Sequence, residues 1–242
     1  MAGIKTGVDG QINNNIQTLG LVTYWDAAYK KSYVEGNPTT YSLASGSLTP
    51  TGSMVNDTSG SLGSPKAWEF DGVDSYINIG LAKPPSLNFT GDMSISTWIN
   101  NEGSGLAGVV VDCNSGGSSL QFCIDINRTT NKITILSNTT SVITSTLTLS
   151  TSTWYNIVMT RAGSSGDWDY VLYINGLESN GGTANTAVNP AAQQGSAIGN
   201  FGNLGGSYKF NGKISNCLFY NKALSAGDVL QNYNAQKDRF GY

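Results

Sequence analysis

Apolar and polar residues alternate strictly in two stretches of this chain. In residues 120–126 one set is Leu120, Phe122, Ile124 and Ile126, and the intervening set is Gln121, Cys123 and Asp125. Residues 93–99 repeat the pattern, with Met93, Ile95, Thr97 and Ile99 in one set and Ser94, Ser96 and Trp98 in the other. A period of two residues is typical of a β-strand that buries one face and exposes the other to water. Both stretches are therefore predicted to be half-buried strands.

Short apolar runs between clusters of Gly, Ser, Thr and Asn predict further strands along the chain. They cover residues 21–26, 66–70, 75–79, 108–113, 132–137, 142–149, 154–161, 168–174, 196–199 and 209–220. The connections are short except for residues 181–195, which are predicted to form a surface loop. This organisation predicts an all-β fold, an antiparallel two-sheet sandwich of more than ten strands.

One helix is predicted near the C-terminus. Ser225 followed by Asp228 forms a capping box, in which each side chain bonds to the other residue's backbone N–H group. Val229, Leu230 and Tyr233 then provide an apolar face, so we predict a short amphipathic helix that ends near residue 237.

Composition limits the classes of partner. Charged residues make up 12% of the 242 residues, against about 25% in an average soluble domain. The net charge is −3 and no basic run occurs, which argues against a nucleic-acid ligand because phosphates need a cationic surface. No apolar run is long enough to span a membrane. The length suits one sandwich domain.

The inventory of reactive residues predicts that the chain is not an enzyme. It contains no histidine, which removes His-dependent catalysis and His-ligated metals. No two of the four glutamates lie two positions apart, as a pair of glutamates on one strand face would. Asp167 and Asp169 have that spacing, but they are interpreted as the start of a strand after a turn. The three cysteines, Cys113, Cys123 and Cys217, do not suggest a disulfide framework or a zinc site.

Four segments carry a family resemblance. Residues 70–77 have the form strand, Asp-Gly turn, strand, which is a hairpin signal. Residues 154–158 and 172–176 are two further strands, the second of which ends in an Asn-Gly turn, and residues 210–225 complete the set. In this order they resemble the concanavalin A-like lectin superfamily, and within it the laminin-G-like jelly-roll domains. The resemblance covers the chain from Leu21 onward and implies a jelly-roll sandwich with a lectin-like surface.

The resemblance is more specific at the two ends of the domain, residues 21–33 and 231–241. They are similar to the opening strand and the closing helix of such domains in virion proteins of tailed bacteriophages, particularly marine ones. The resemblance implies a non-enzymatic virion structural protein, made in the host cytoplasm and located on the virion surface. We expect a capsid-surface decoration protein whose lectin-like fold contacts host glycans. The alternatives are a tail or neck appendage adhesin and a free-standing carbohydrate-binding module, which would carry an exposed row of aromatic residues.

Residues 1–20 are interpreted separately from the jelly-roll domain, which is assigned to residues 21–242. The segment is polar and Gly-rich, so a frayed terminus is one interpretation. The other is an N-terminal arm that attaches the protein to other virion proteins, either the major capsid protein or a neck or tail protein. Self-association into a homo-oligomer is left open, and no nucleic-acid or membrane partner is expected.

Asp71 and Asp74 are the candidate metal ligands. They lie close together on the predicted hairpin, and related domains often bind calcium at a sandwich edge, so a structural Ca²⁺ is one interpretation. In the alternative interpretation, Asp71 builds the Asp-Gly turn and Asp74 caps the next strand.

Aromatic residues are the candidate sugar contacts, because a ring face can stack on a sugar. Trp168, which lies between two aspartates after a Gly-rich turn, is predicted to be the most exposed tryptophan. Tyr29 and Tyr33, near the first loop, are the other candidates. Four tryptophans lie within apolar runs and are predicted to be core residues: Trp25, Trp68, Trp98 and Trp154.

Overall fold

Two antiparallel β-sheets packed face to face form the domain. The computed structural model describes residues 15–242 except 30, 34–38, 45–49, 56–59, 62–64, 81–86, 104–106, 114–119, 128, 138–139, 186–195 and 201–207. The strands of this part of the chain are β1 (Leu21–Asp26), β2 (Thr39–Tyr41), β3 (Pro50–Val55), β4 (Gly60–Ser61), β5 (Ala67–Asp71), β6 (Tyr76–Gly80), β7 (Met93–Asn101), β8 (Ala107–Cys113), β9 (Leu120–Asn127), β10 (Lys132–Ser137), β11 (Thr140–Thr144), β12 (Trp154–Ser164), β13 (Asp167–Ile174), β14 (Leu177–Ala184), β15 (Ser196–Ile198) and β16 (Asn211–Tyr220). The helix α1 (Ala226–Gln236) and a 3₁₀ helix (Lys237–Phe240) follow. The predicted fold class, an antiparallel jelly-roll sandwich with one short C-terminal helix, is confirmed.

The strand order places β16 at the centre of one sheet. Sheet A has the order β14-β13-β12-β7-β16-β5-β4, and β1 also pairs with β16. One edge of β16 pairs with β7, while its other edge pairs first with β5 and then with β1. Sheet B has the order β11-β10-β9-β8-β15-β6-β3-β2. The main core lies between the two sheets, and Trp25 packs edge-on against Phe219 there, with ring centroids 5.4 Å apart.

The predicted solvent-facing side of β7 is buried, which corrects the half-buried interpretation of residues 93–99. Met93 and Ile95 face the main core as expected, but Ser94, Ser96 and Trp98 are also buried. The reason is a layer outside sheet A, where Trp98 stacks on Phe240 of the 3₁₀ helix. In β9, Cys123 and Asp125 are buried as well, so its second face is not exposed either.

Strand β14 replaces part of the surface loop predicted for residues 181–195. Leu177–Ala184 pairs with β13 at the edge of sheet A, and its side chains are mostly exposed. An exposed edge strand is held by backbone hydrogen bonds and needs no apolar alternation, so the pattern gave no signal. The short strands β2, β3 and β4 were not predicted, and residues 186–195 lie outside the described part of the chain.

Helix α1 begins as predicted but buries a different face. The Ser225 hydroxyl accepts a hydrogen bond from the Asp228 N–H (3.2 Å), and the Asp228 carboxylate accepts one from the Ser225 N–H (3.1 Å), which confirms the capping box. Leu230 was predicted in the apolar face, but it points to solvent. The buried helix residues are Val229, Asn232 and Gln236, because the sheet surface below them is partly polar.

Residues 15–20, the described end of the predicted arm, lie against α1. Ile16 is buried in an apolar cluster with Val229, on the outer face of sheet A. The Gln17 backbone N–H donates to Asn232 Oδ1 (2.6 Å), and its side-chain amide donates to Asp228 Oδ1 (2.7 Å). Packing against the domain therefore starts before residue 21. Residues 1–14 lie outside the described part, so their attachment role stays a prediction.

None of the helices in the described residues is both long and apolar enough to cross a membrane.

Candidate functional site

The Asp71 carboxylate is committed to the hairpin turn. Its Oδ1 atom accepts hydrogen bonds from the backbone N–H groups of Val73 (2.8 Å), Asp74 (3.1 Å) and Ser75 (3.2 Å), and from the Ser75 hydroxyl (2.7 Å). Gly72 has φ +75°, the left-handed conformation that an Asp-Gly turn requires. This is the turn-building role that the sequence analysis gave as the alternative to metal binding.

A positively charged side chain already lies beside the hairpin. Burial works to raise the pKa of Asp71, but the hydrogen bonds from Val73, Ser75 and Asp74 outweigh it and hold the pKa well below its usual range. The Lys209 ammonium lies 5.1 Å from the centroid of the Tyr76 ring and is close enough for Asp74 and Asp71 to act on its pKa. A cation bound to these carboxylates would be repelled by this ammonium. Among the described residues, no three His, Cys, Asp or Glu side chains are grouped as metal ligands would be.

Trp168 is fully buried, so the prediction that it is the most exposed tryptophan is wrong. Its neighbours Asp167 and Asp169 are exposed, and alternation along β13 therefore turns the indole into the core. The Arg161 guanidinium lies 4.4 Å from the ring centroid and covers one face. A sugar cannot stack on this ring in the folded protein.

Tyr29 and Tyr33 are buried as well. The Tyr29 ring packs edge-on against Tyr24 at 6.3 Å between centroids, and the Tyr33 ring packs edge-on against Trp68 at 6.1 Å. Both rings serve packing, and they do not form a sugar-binding surface together with Trp168.

Asp26 is the centre of a buried polar cluster that sequence reasoning missed. Its carboxylate is fully buried, and Oδ2 accepts hydrogen bonds from the Tyr24 hydroxyl (2.9 Å) and from Arg239 Nη1 (2.8 Å). Oδ1 accepts the Ala28 N–H (2.8 Å). Burial and the neighbouring Asp26 carboxylate raise the pKa of Tyr24 well above its ordinary value, so the phenol stays a donor.

Arg239 ties the C-terminal segment to the sandwich. Besides its bond to Asp26, Nη2 donates to the carbonyl of Lys66 (2.9 Å) and to the hydroxyl of Ser215. We call Asp26 and Arg239 the terminal clasp, because they join the first strand of the domain to its last turn. The two residues belong to the opening segment (21–33) and the closing segment (231–241) of the domain, and their pairing becomes visible only in the folded structure.

Beside the clasp, aromatic rings stack on the outer face of sheet A. Phe240 lies parallel to Trp98, with centroids 3.9 Å apart and an interplanar angle of 10°. Tyr233 also stacks on Trp98 (5.8 Å), and Trp154 packs against Phe240 (5.0 Å). Trp98 and Phe240 are buried, whereas Trp154 and Tyr233 are only partly buried. The prediction of a core position is therefore confirmed for Trp98 and wrong for Trp154.

Three rings of this cluster remain accessible: Trp154, Tyr233 and Tyr242, which we call the aromatic row. Tyr242 is the most open, at 44% exposure, and its ring lies 6.1 Å from that of Tyr233. The Tyr242 hydroxyl donates to the carbonyl of Trp154 and accepts a hydrogen bond from the Asn175 side chain (3.2 Å). Burial raises the pKa of both tyrosines, so their hydroxyls are protonated near neutral pH.

The Asn-Gly turn after β13 shapes the end of the row. Asn175 (φ +52°) and Gly176 (φ +79°) both have the left-handed conformation of a tight hairpin turn. A Cβ atom at Gly176 would lie 3.0 Å from Tyr233 Cδ1, so glycine lets this ring pack on the turn. The Asn175 side chain also accepts the Asn156 N–H (2.9 Å), which fixes the amide that holds Tyr242.

These features define a lectin-like jelly roll, and its family follows from sequence comparison. The profile of the Laminin_G_3 family, described as concanavalin A-like lectin/glucanases superfamily, matches residues 71–230. Because this match covers more than half of the chain, the protein belongs to that family. No curated protein matches the sequence significantly.

Solved structures show the same fold at low sequence identity. Trypanosoma rangeli sialidase in complex with the inhibitor DANA is 13% identical, with a TM-score of 0.68 over 94% of this chain. This chain spans only 34% of the sialidase. Domain 4 of AbnA, a GH43 extracellular arabinanase from Geobacillus stearothermophilus, was solved with arabinotriose and is 17% identical, with a TM-score of 0.64. That alignment covers 88% of this chain and 98% of the domain.

These neighbours overturn the prediction that the chain is not an enzyme. Parts of sialidase and arabinanase chains have the same fold, so the residue inventory of this chain does not rule out enzymatic activity. The absence of histidine and of alternately spaced glutamates excludes particular mechanisms, and it was wrong to extend that exclusion to activity as a whole. At these identities the likeness establishes the fold alone.

Proposed function

We propose that this chain is a glycan-binding, lectin-like protein of a tailed-phage virion, displayed on the capsid surface. The observation that carries the glycan-binding part is the likeness to AbnA domain 4. That domain was solved with arabinotriose, and this chain matches 98% of its length rather than a fragment of it. The low charge of the chain suits neutral, hydroxyl-rich ligands.

The virion setting rests on a different part of the molecule. The resemblance to phage domains lies in residues 21–33 and 231–241, and the terminal clasp formed by Asp26 and Arg239 gives these two segments a common structural purpose. The N-terminal segment reaches the domain beside α1, where Ile16 and Gln17 are held. An attachment arm leaving from this point would place the helix side of sheet A toward the shell or along it.

Two experiments test the two parts separately. Immunogold electron microscopy of particles from the phage that encodes the protein should label the capsid surface. Labelling of tails or necks would support an adhesin instead, and unlabelled particles would overturn the virion proposal. Isothermal titration and polysaccharide pull-down with the purified protein should detect glycan binding, and the absence of binding to any plant, algal or bacterial polysaccharide would overturn the lectin proposal.

A deletion series tests attachment through the N-terminal segment. Removing residues 1–14 should keep the melting temperature and abolish incorporation into particles. Removing residues 1–20 should also lower the melting temperature, because it deletes the buried Ile16 and the hydrogen bonds of Gln17. Full incorporation of the 1–14 deletion would show that attachment runs through the sandwich itself.

A further inference from the structure

Three sequence motifs that are far apart in the chain meet at the aromatic row. Trp154 begins β12, Asn175 and Gly176 form the turn after β13, and Tyr233 and Tyr242 follow β16. If these rings served packing alone, all of them would be expected to be buried. Instead, Trp154 and Tyr233 stay partly exposed and Tyr242 is 44% exposed. The resemblance to a known family does not explain why rings at this position face water.

The rings are held rigidly although they are accessible. Tyr242 makes two hydrogen bonds through its hydroxyl, one to the Trp154 carbonyl and one from the Asn175 amide. Below the row, Phe240 packs between Trp98 and Trp154 and prevents the rings from collapsing inward. A surface fixed before binding loses little conformational entropy when a ligand arrives, which favours affinity.

The chemistry of the row suits a sugar better than an apolar ligand. The Tyr233 hydroxyl makes no hydrogen bond to any described residue and, being protonated, can donate to a ligand hydroxyl. Lys237, whose ammonium lies 5.7 Å from the Tyr233 ring centroid, is followed by the exposed carboxylate of Asp238, so the border carries no net charge. Ring faces combined with hydroxyl and amide groups, without net charge, match a neutral carbohydrate, whose rings have apolar faces and polar edges.

We propose that the aromatic row is the glycan-binding platform of this protein and that it takes neutral oligosaccharides by stacking sugar rings on Tyr242 and Trp154. The Tyr233 hydroxyl donates a hydrogen bond to the bound sugar, and Asn175 acts as a positioning residue by fixing Tyr242. This inference rests on the proposed glycan-binding function and adds the place and the ligand class.

Intrinsic fluorescence provides a direct probe of the row. Trp25, Trp68, Trp98 and Trp168 are fully buried, so Trp154 is the tryptophan that a surface ligand can reach. Arabinotriose, xylotriose, cellotriose and maltotriose are titrated into the wild-type protein, and binding is followed by the emission shift, by acrylamide quenching and by calorimetry. At least one trisaccharide should shift the emission and protect Trp154 from acrylamide.

Three variants separate binding from packing. Tyr242→Ala should weaken the binding of that trisaccharide by about tenfold, since an aromatic contact is worth on the order of a kcal/mol. Tyr233→Phe keeps the ring and should weaken binding by about threefold, through the loss of one hydrogen bond. The matched control is Tyr208→Ala, because Tyr208 is 41% exposed, like Tyr242, but lies beside β8 of sheet B. This variant should bind the trisaccharide with the same affinity as the wild type.

The outcomes distinguish this inference from the function on which it rests. If the wild-type protein binds neither these trisaccharides nor any polysaccharide, the glycan-binding function is refuted and the platform with it. If it binds a glycan but Tyr242→Ala and Tyr208→Ala have the same affinity as the wild type, glycan binding stands and the platform is refuted. Calorimetric melting of each variant shows whether a loss of affinity comes from unfolding, and Tyr233→Phe, which removes one oxygen atom, provides the readout that is least sensitive to packing.

Discussion

Removing Arg239 should weaken the whole domain, although the residue lies only three positions before Tyr242, the last residue of the sequence. In Arg239→Ala, the fully buried Asp26 carboxylate loses its ion-pair partner at 2.8 Å. It keeps the hydrogen bonds from the Tyr24 hydroxyl and the Ala28 N–H, but no cation replaces the guanidinium among the described residues around it. A buried charge without compensation is costly, because the interior solvates it poorly.

The size of the effect follows from the burial of the two partners. Breaking a buried ion pair by removing one side costs about 3–5 kcal/mol. The Arg239 side chain is 24% exposed, so water takes part of its place, and we expect a loss of about 3 kcal/mol, at the lower end of that range. For a domain of this size, the melting temperature should fall by about 6–12 °C.

The surface pair Lys213–Glu102 provides a matched control. Its N–O distance is 2.7 Å, as short as that of the clasp, and Lys213 is 27% exposed, close to the exposure of Arg239. The difference is the acid, because Glu102 is 32% exposed whereas Asp26 is fully buried. Lys213→Ala should therefore cost less than about 1 kcal/mol.

Urea unfolding followed by tryptophan fluorescence measures both free energies of unfolding. The free energy of unfolding of Arg239→Lys should lie between those of the wild type and Arg239→Ala. An ammonium keeps the charge but cannot bond to Asp26, the Lys66 carbonyl and Ser215 together. If Arg239→Ala costs no more than Lys213→Ala, burial of Asp26 does not govern the pair, and the reasoning about the clasp is refuted.

Further predictions concern backbone packing, acid stability and thiol reactivity. A Cβ atom at Gly182 would lie 2.5 Å from the Val142 carbonyl oxygen, so Gly182→Ala should cost about 1–3 kcal/mol in urea unfolding. A Cβ atom at Gly227 in α1 would lie 3.7 Å from Ser225 Oγ, an ordinary contact, so Gly227→Ala should stabilise the protein by up to about 1 kcal/mol. Equal effects of the two substitutions would contradict the close approach at Gly182. Burial acts to raise the pKa of Asp228, but hydrogen bonds to its carboxylate lower it from 3.8 to about 2. Its contribution to stability is therefore complete above about pH 4 and is lost as the pH falls toward 2. In Asp228→Asn, the free energy of unfolding should depend less on pH between these values. The same pH dependence in the variant and the wild type would contradict this prediction. Burial raises the pKa of Cys217 to about 12, so iodoacetamide at about pH 8 should leave it unlabelled in the native protein, as mass spectrometry would reveal.

The sequence predicted the sandwich because most strands bury side chains with a period of two. It failed where an edge strand is mostly exposed, as in β14, or where a third layer covers a sheet, as over Trp98. Trp168 was predicted to be exposed because charged residues flank it, and charged residues usually lie in solvated segments. In a strand, exposed neighbours on both sides instead indicate that the residue between them points inward.

The candidate site could be predicted from the sequence only in its parts. The Asp-Gly and Asn-Gly turns, the capping box and the clusters of aromatic residues are local signals, and each of them was recognisable. Asp71 could either bind a metal or stabilise the turn, and the sequence does not decide between these roles. The four hydrogen bonds to its Oδ1 atom, which favour the turn, are seen only in the folded hairpin. The ion-pair partner of Asp26 and the stacking partner of Trp98 lie more than a hundred positions away, so no local pattern could identify them.

The position of the aromatic row follows from how sheet A is covered. Helix α1 and the residues after it shield the outer face of the central strands, and this shield buries Trp98 and the polar residues around it. A recognition surface on this side can therefore form at the rim of this cover. The segment after α1 lies there, because Phe240 stacks on Trp98 and Tyr242 lies beside Trp154. The same segment that closes the domain through Arg239 thus presents Tyr242, one of the two rings on which we propose that sugars stack. Loosening the clasp should consequently weaken glycan affinity as well as stability, and Arg239→Lys should reduce both. A variant that loses stability but keeps full affinity would separate the row from the clasp and contradict this coupling.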